Sequence, residues 1–368
     1  MKVATFNVES LFRRPEALSK ETWSEGKPIL EDYQLFNRLI AQEIYTPNTK
    51  DKLVQLLVEY NLQERNDKTS KFFILHEVRE KLFKLARGAK KPEIVVNGRK
   101  EWDGWLELKR KDIESNAIEN TALVIQAMQA DVLAIVEAED RIALQLFNDQ
   151  VIKRFGVNYT HNMLIDGNDE RGIDVGLYSQ LPIVSMRSNI DAGLPDERIF
   201  SRDCAEYEIT LPSGDSLWLL VNHFKSKGFG SYKSSNERRL KQATEVANIY
   251  KKRHASHRYV IIAGDFNDTP ESEQLKPLIK DTDLRDVMTH EKYKNRPNAR
   301  PGTFKSGSKS NKLDYILLSP ALWEKVLDVD VERHGVWAPR TFEHFETVKG
   351  PADIASEHAA VWVELNLN

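Results

Sequence analysis

The 368-residue chain is 40% hydrophobic and 30% charged, as is ordinary for a soluble globular protein, and its net charge of -3 excludes a global polycation. Its length exceeds the roughly 250–300 residues at which one hydrophobic core stops growing, so two domains or one large domain with an insertion are expected. No apolar run approaches the roughly 20 residues of a membrane helix, Cys204 is the only cysteine, and the N-terminal MKVATFNVES lacks the features of a secretory leader, so no membrane span and a cytoplasmic location are expected.

The first element is KVATFNVESLF, whose alternation of Val3 and Thr5 against Ala4 and Phe6 predicts a strand running into a polar loop. From Arg13 to Lys111 charges crowd in. Helical spacing appears in DYQLFNRLIAQEI, KDKLVQLLVEY and KFFILHEVREKLFKLA, and EIVVNGRKEW carries an Asn97-Gly98 hairpin signal. IENTALVIQAMQA then predicts a helix and DVLAIVEAED a buried strand ending in carboxylates. GIDVGLYS and IVSMRS read as a strand pair about Pro182. CAEYEITLPSGDSLWLLVNHF reads as two strands joined by a PSGDS turn, and NERRLKQATEVANIYKKR as a helix. YVIIAGDFNDTP, KLDYILLSP and HAAVWVEL complete a strand-dominated α/β chain.

One pattern recurs at the strand ends. Asn7, then Glu137, Glu139 and Asp140, then Asn222 and His223, then Asp265, Asn267 and Asp268 each follow an apolar run; Asp314, and the pair Glu357 and His358, each precede one. Taken singly, a strand-end Asp is most often a turn former and a lone His most often a structural residue. Together they put carboxylates close enough to repel, which drives each toward protonation unless a cation relieves them. Oxygen ligands suit a hard ion such as Mg²⁺ sharing its coordination with a phosphate, and neither cysteine pairs nor an HExxH motif argues for zinc. Histidines among such acids suit proton handling.

The blocks TFNVESLF, DVLAIVEAE, RGIDVGLYS, VNHFKSK, AGDFND, NKLDYILLS and SEH, in this order, resemble the endonuclease/exonuclease/phosphatase superfamily, which includes exonuclease III-type and pancreatic-type deoxyribonucleases. The resemblance spans nearly the whole chain except the Arg13–Lys111 stretch. It implies a four-layer α/β/β/α sandwich with two central mixed sheets. The chain would then be a single domain, 1–368, interrupted at about 13–111 by a mostly helical insertion that begins right after Asn7 and is placed to overhang the site and select substrate.

The same resemblance implies that Asn7 and Glu137 bind the metal and that Asp265 orients the attacking water. Asn267 holds the scissile phosphate, His223 lies near the leaving oxygen, and His358 contacts the phosphoryl oxygens and transfers a proton. Asp314 pairs with a histidine or lies near the metal, and Arg171 contacts the substrate backbone. The last block departs from the family's Ser-Asp-His: it reads Ser356-Glu357-His358. Glu357 is expected to orient His358 and to contribute to the metal site, with a carboxylate that reaches about 1.5 Å further than an aspartate's.

The expected activity is Mg²⁺-dependent phosphodiester hydrolysis, with Mn²⁺ able to substitute. Between Lys225 and Arg258 only Glu237 and Glu245 oppose ten Lys and Arg residues. Such a run is usually a solvated helix face, but here it follows VNHFKSK, and Lys225, Lys227 and Arg239 are candidates for backbone phosphates. DNA is therefore favoured over RNA as partner. The PAWxDR block of the inositol-polyphosphate phosphatases is missing, although a small phosphorylated substrate or phospholipid head group remains an alternative, as does a nucleic-acid-binding module disabled by the Glu357 change. Trp102 and Trp105 suggest base stacking, against which an insertion needs its own packed core.

Overall fold

The computed structural model describes residues 1–11, 23–64, 68–109, 115–169, 172–194, 197–227 and 231–367. The chain divides into two compact units, one made of Met1–Phe12 with Ile113–Asn368, the other of Arg13–Asp112.

The larger unit is built on two six-stranded sheets. Its strands in chain order are β1 (Lys2–Leu11), β2 (Val132–Ala138), β3 (His161–Leu164), β4 (Asp174–Ser179), β5 (Ile183–Arg187), β6 (Cys204–Thr210), β7 (Ser216–His223), β8 (Val260–Asp265), β9 (Arg285–Asp286), β10 (Asp314–Leu318), β11 (Val326–Glu332) and β12 (Ala360–Leu365). The first sheet runs β11-β12-β1-β2-β4-β3 and the second β9-β10-β8-β7-β6-β5. Each holds a single parallel pair near its middle, β1 with β2 and β7 with β8; every other neighbour is antiparallel.

Alternation along each strand decides the layering, because successive side chains leave a strand on opposite faces. Val3, Val132, Ala134, Leu219, Val221, Ile261 and Ala263 point between the sheets and form one core. Their neighbours Ala4, Phe6, Leu133 and Ile135 point outward and pack against α1 (Ser115–Met128) and α2 (Arg141–Gln150). Leu220, Val260, Ile262 and Tyr315 do the same against α3 (Tyr232–His254) on the other side. The result is the α/β/β/α sandwich. Each fully buried aliphatic side chain contributes roughly 1.5–3 kcal/mol, so three such cores hold the strand ends rigidly.

Two strand expectations need correction. The segments flanking Pro182 do not pair with each other: β4 belongs to the first sheet and β5 to the second. Proline lacks the amide needed to continue a ladder, and the chain crosses between sheets there. β11 was not among the predicted strands. Its acids Asp328 and Asp330 break up the apolar run, and both are paired with Arg296.

The smaller unit has its own core, including Phe36, Leu53, Leu57, Phe73, Leu75 and Trp102. Helices Trp23–Ile40 and Pro47–Glu59 cover most of two of the expected helical segments, the first of which runs on to Ile44 and the second to Tyr60. The third, KFFILHEVREKLFKLA, is instead strand: Phe73–Arg79 pairs with Asp103–Leu108, and Phe83–Lys84 with Glu93–Ile94. Burial of Phe73 and Leu75 at period two outweighs a helical spacing that the same residues also satisfy. Asn97-Gly98 is likewise not a hairpin turn between strands. Gly98 lies against the Glu43 carbonyl, which a Cβ would meet at 1.8 Å. Trp102 is buried and donates to the Tyr45 hydroxyl at 2.6 Å, a packing role, whereas Trp105 is exposed and stacked on His76.

Candidate active site

The two parallel pairs end at the same place. Asn7, in register with Val136, is the last residue of β1 before the β1–β2 register shifts, and Glu137 follows Val136 near the end of β2; His223 and Asp265 are direct partners at the ends of β7 and β8. Asp314, the first residue of antiparallel β10, is in register with Asp265. His358 lies two residues before β12 and is bridged to Phe304.

Backbone strain marks the spot. Glu9, Glu137, Asn267 and Lys305 all have positive φ, at 49°, 68°, 52° and 47°. This region is unfavourable for residues with a Cβ and is retained where the surrounding structure over-determines it. Glu137 is the extra residue where the β2–β4 register shifts between Val136 and Ala138, a bulge that aims its carboxylate. Gly264 takes a φ of 135°, and a Cβ there would lie 1.9 Å from the Asn222 carbonyl oxygen, so only glycine lets β8 approach β7 this closely.

Asp265 is the centre. Its Oδ2 accepts from Asn7 Nδ2 at 3.1 Å and Asn267 Nδ2 at 3.2 Å, and its Oδ1 accepts the Asn267 amide at 2.8 Å. The same Oδ2 lies 3.8 Å from His223 Nε2 and 4.0 Å from His358 Nε2. His223 Nε2 is also 3.7 Å from Glu137 Oε1. His358 Nδ1 faces both oxygens of Asp314, at 2.9 and 3.1 Å, and Thr303 Oγ1 donates to Asp314 Oδ2 at 2.6 Å.

These contacts set the charges. Burial opposes a charged His358 ring, yet Asp314, Asp265 and Glu9 together raise its pKa to about 10. Burial and the neighbouring Asp314 push the Asp265 carboxyl upward, partly offset by His358. Glu9 is also pushed up, by burial and by Glu137 and Glu357, against the pull of His358 and the Glu357 amide.

Sequence reasoning placed Asn7, Glu137, His223, Asp265, Asn267, Asp314 and His358 here, and the structure brings them together. It overlooked Glu9, whose Oε2 accepts the Glu357 amide at 2.9 Å; an acid two residues past Asn7 in the same polar run was the available signal. It also overlooked Thr303 and Lys312. Lys312 is buried against Asp286 at 3.2 Å, and its ammonium also donates to the Asp314 carbonyl.

Glu357 requires correction. Its carboxylate does not orient His358 and does not join the acids. It points to Lys305 Nζ at 3.2 Å, and the orienting acid is Asp314. In the bend at Glu357 the two neighbouring side chains diverge, His358 toward Asp314 and Glu357 toward Lys305. Arg171 lies outside the described residues. Lys225 is half-buried just past His223, its amide donating to Gln242 at 2.8 Å and its carbonyl accepting from Arg239 at 2.8 Å.

Arg239 is not a surface phosphate contact: it is fully buried and paired with Asp268 at 3.1 Å. Lys227 pairs with the same Asp268 at 2.5 Å. Asp140 caps α2 through the Ala143 amide at 2.6 Å, the structural role expected of it.

Three carboxylates, Asp314, Asp265 and Glu9, thus act on the His358 imidazole, and a fourth, Glu137, lies beside His223. Such an excess of buried negative charge fits a divalent cation. Asp265, Asp314 and His358 alone bring possible ligand atoms within 4.8 Å of one another. His358 Nδ1 and Asp314 are bonded to each other, and Glu137, Glu9 and the Asn7 side chain add further oxygen atoms to the same cluster.

The family model described as "Endonuclease/Exonuclease/phosphatase family" matches residues 82–331, which include Glu137, His223, Asp265 and Asp314. No curated protein matches the chain. Among solved structures it is similar to an endonuclease/exonuclease/phosphatase family protein from Bacteroides thetaiotaomicron (18% identity, TM-score 0.48, covering 68% of this chain and 85% of that one). It is also similar to the human Nocturnin catalytic domain (16%, 0.48, 70% and 89%) and to truncated Caenorhabditis elegans TDP2 (15%, 0.46, 67% and 88%).

Proposed function

The chain belongs to the endonuclease/exonuclease/phosphatase family, and from that premise we propose that it is a Mg²⁺-dependent phosphodiester hydrolase acting on nucleic acid, DNA in preference to RNA. The observation that carries the hydrolase reading is the convergence of Asn7, Asn267, His223 and His358 on one carboxylate oxygen, Asp265 Oδ2. Such a constellation handles a proton and an anion at the same point.

Glu137, Glu9 and Asn7 would hold the ion, which when bound polarises the phosphoryl group and offsets charge on the leaving oxygen. Asp265, fixed by two asparagines, accepts a proton from water and aims it. Asn267 donates toward the phosphate. His358, kept cationic by Asp314, donates from Nε2 to the phosphoryl oxygens. His223, on the Glu137 side of Asp265, supplies a proton to the departing oxygen.

A second reading, a small phosphorylated substrate, is favoured by the pairing along the basic helix. Beyond Arg239 and Lys227, Lys233 pairs with Glu237, Lys241 with Glu197, Arg253 with Glu206 and Arg258 with Asp215. Cations engaged inside the protein offer less to an extended backbone.

The test is Mg²⁺- and Mn²⁺-dependent hydrolysis of plasmid, linear duplex, single-stranded DNA, RNA, inositol phosphates and bis-p-nitrophenyl phosphate, with wild type and Asp265→Ala. Cleavage of DNA that falls at least about 10²-fold in the variant is expected. Undiminished hydrolysis by Asp265→Ala refutes the mechanism. Intact plasmid beside a consumed inositol phosphate replaces the first reading by the second.

A further inference from the structure

The turn from Gly302 to Gly307 carries three consecutive side chains into the site's surroundings. It is closed by the Gly302 amide on the Gly307 carbonyl at 2.9 Å and the Gly307 amide on the Phe304 carbonyl at 3.0 Å. Thr303 donates to Asp314. The Phe304 ring lies 4.8 Å from the His358 ring. Lys305, in the left-handed conformation, donates its amide to the Glu357 carbonyl at 2.8 Å and extends its ammonium to Glu357 Oε2 at 3.2 Å. Glu357 is pinned from its other side by Glu9, which accepts its amide. A strained residue thus sets an ammonium on Glu357, the chain neighbour of His358, and 5.0 Å from the Phe304 ring that packs on the His358 ring. Both members of the ion pair are open to water, with side-chain exposures of 48% for Lys305 and 40% for Glu357.

We propose that Lys305 is the cation of an anion subsite next to the reacting phosphoryl group, built to receive a second phosphate of the substrate, and that Glu357 is the acid this phosphate displaces. The catalytic cluster leaves this pair unused. A half-exposed ion pair contributes little stability and exchanges readily for a dianion. The glutamate matters because of its reach: an aspartate at 357 would fall short of Lys305 by about 1.5 Å. Glu357 therefore occupies the subsite in the absence of substrate and raises the selectivity for ligands charged enough to replace it. The preferred ligand class is a phosphoester with a second phosphate close to the scissile one, whether an adjoining nucleotide or a bisphosphorylated small molecule.

The proposal takes from the hydrolase reading only the identity of the neighbouring group, and anion binding is measured apart from turnover. The full chain is titrated calorimetrically in Mg²⁺ with adenosine 3′,5′-bisphosphate and with adenosine 5′-monophosphate. Wild type, Lys305→Ala, Lys305→Arg and Glu357→Gln are compared. The expected result is a preference of about tenfold for the bisphosphate, the worth of one charge-assisted contact. Lys305→Ala abolishes the preference, Lys305→Arg restores part of it, and Glu357→Gln increases it. Equal binding of the two ligands by wild type overturns the subsite, as does a preference that survives Lys305→Ala. A preference without hydrolysis of any phosphodiester would leave the subsite standing and remove the hydrolase. Hydrolysis without a preference does the reverse. A parallel comparison of d(TpT) with d(pTpT) separates an adjoining nucleotide phosphate from a small bisphosphate as its natural occupant.

Discussion

Asp314 holds His358 Nδ1 with both carboxylate oxygens and is itself held by the Thr303 hydroxyl. This fixes the ring so that Nε2 faces Asp265, and burial of the pair makes its charge state matter. Replacing Asp314 by Asn keeps the shape and removes a main cause of the raised His358 pKa. The alkaline limb of the pH–kcat profile is therefore expected to move to lower pH, with kcat reduced by about 10²-fold or more. The stability effect has a definite sign. A histidine whose folded pKa is raised stabilises the fold below its unfolded value near ~6.5, and loses that contribution as pH rises toward its folded value of about 10. Denaturant titrations of Asp314→Asn should thus show the largest deficit against wild type at acid and neutral pH and a shrinking one toward pH 10; a deficit independent of pH counts against the assignment. In the sequence, Asp314 and His358 stand 44 residues apart while Glu357 is adjacent. Adjacency suggested the wrong acid, since the two neighbouring side chains diverge; Asp314 and His358 were legible as strand-end residues, whereas Glu9 and Thr303, which no strand end marks, were not.

Strand ends do the positioning at the next scale. The β7–β8 pair delivers His223 and Asp265 in register, the β1–β2 pair delivers Asn7 and the bulged Glu137, and β10 and the approach to β12 bring two more from the antiparallel direction. Gly264 is the tightest point of this arrangement. Its φ of 135°, and the 1.9 Å that would separate an alanine Cβ from the Asn222 carbonyl oxygen, leave Gly264→Ala no accommodation except separation of β7 from β8. A loss of about 3 kcal/mol or more is expected, with activity lost even where the fold survives, because Asp265 is the next residue. Urea midpoints and bis-p-nitrophenyl phosphate hydrolysis check both; a variant with wild-type stability would show that β8 is not held this closely against β7. Strands of the sandwich were legible because each has one face between the sheets and one under a helix, so apolar runs end where the layers end. Less was legible where burial is one-sided. β11 presents acids neutralised by Arg296, and Phe73–Arg79 carries a spacing that suits a helix until its partner Asp103–Leu108 is known.

At the scale of the molecule, each of the two units carries its own pairings and core. Every strand pairing of both six-stranded sheets lies within Met1–Phe12 and Ile113–Asn368, and so do the contacts that assemble Asp265, Asp314, His358, Asn7 and Glu137. The core of the smaller unit is drawn from residues between Ile29 and Leu106. A unit of about 100 residues with a core of its own is large enough to fold alone. Replacing Arg13–Asp112 by a short Gly/Ser linker should therefore leave a cooperatively unfolding protein that still hydrolyses bis-p-nitrophenyl phosphate in a divalent-cation-dependent manner, within about tenfold of the full chain. Closing a loop by a linker of a few residues in place of a folded unit changes the entropy term by only about 1–3 kcal/mol, since that cost grows with the logarithm of loop length. The informative quantity is the ratio of plasmid cleavage to small-ester hydrolysis. A ratio that falls while small-ester hydrolysis persists assigns substrate selection to the excised unit, an unchanged ratio assigns selection to the sandwich alone, and joint loss of folding and hydrolysis shows that the sandwich needs the smaller unit in order to form.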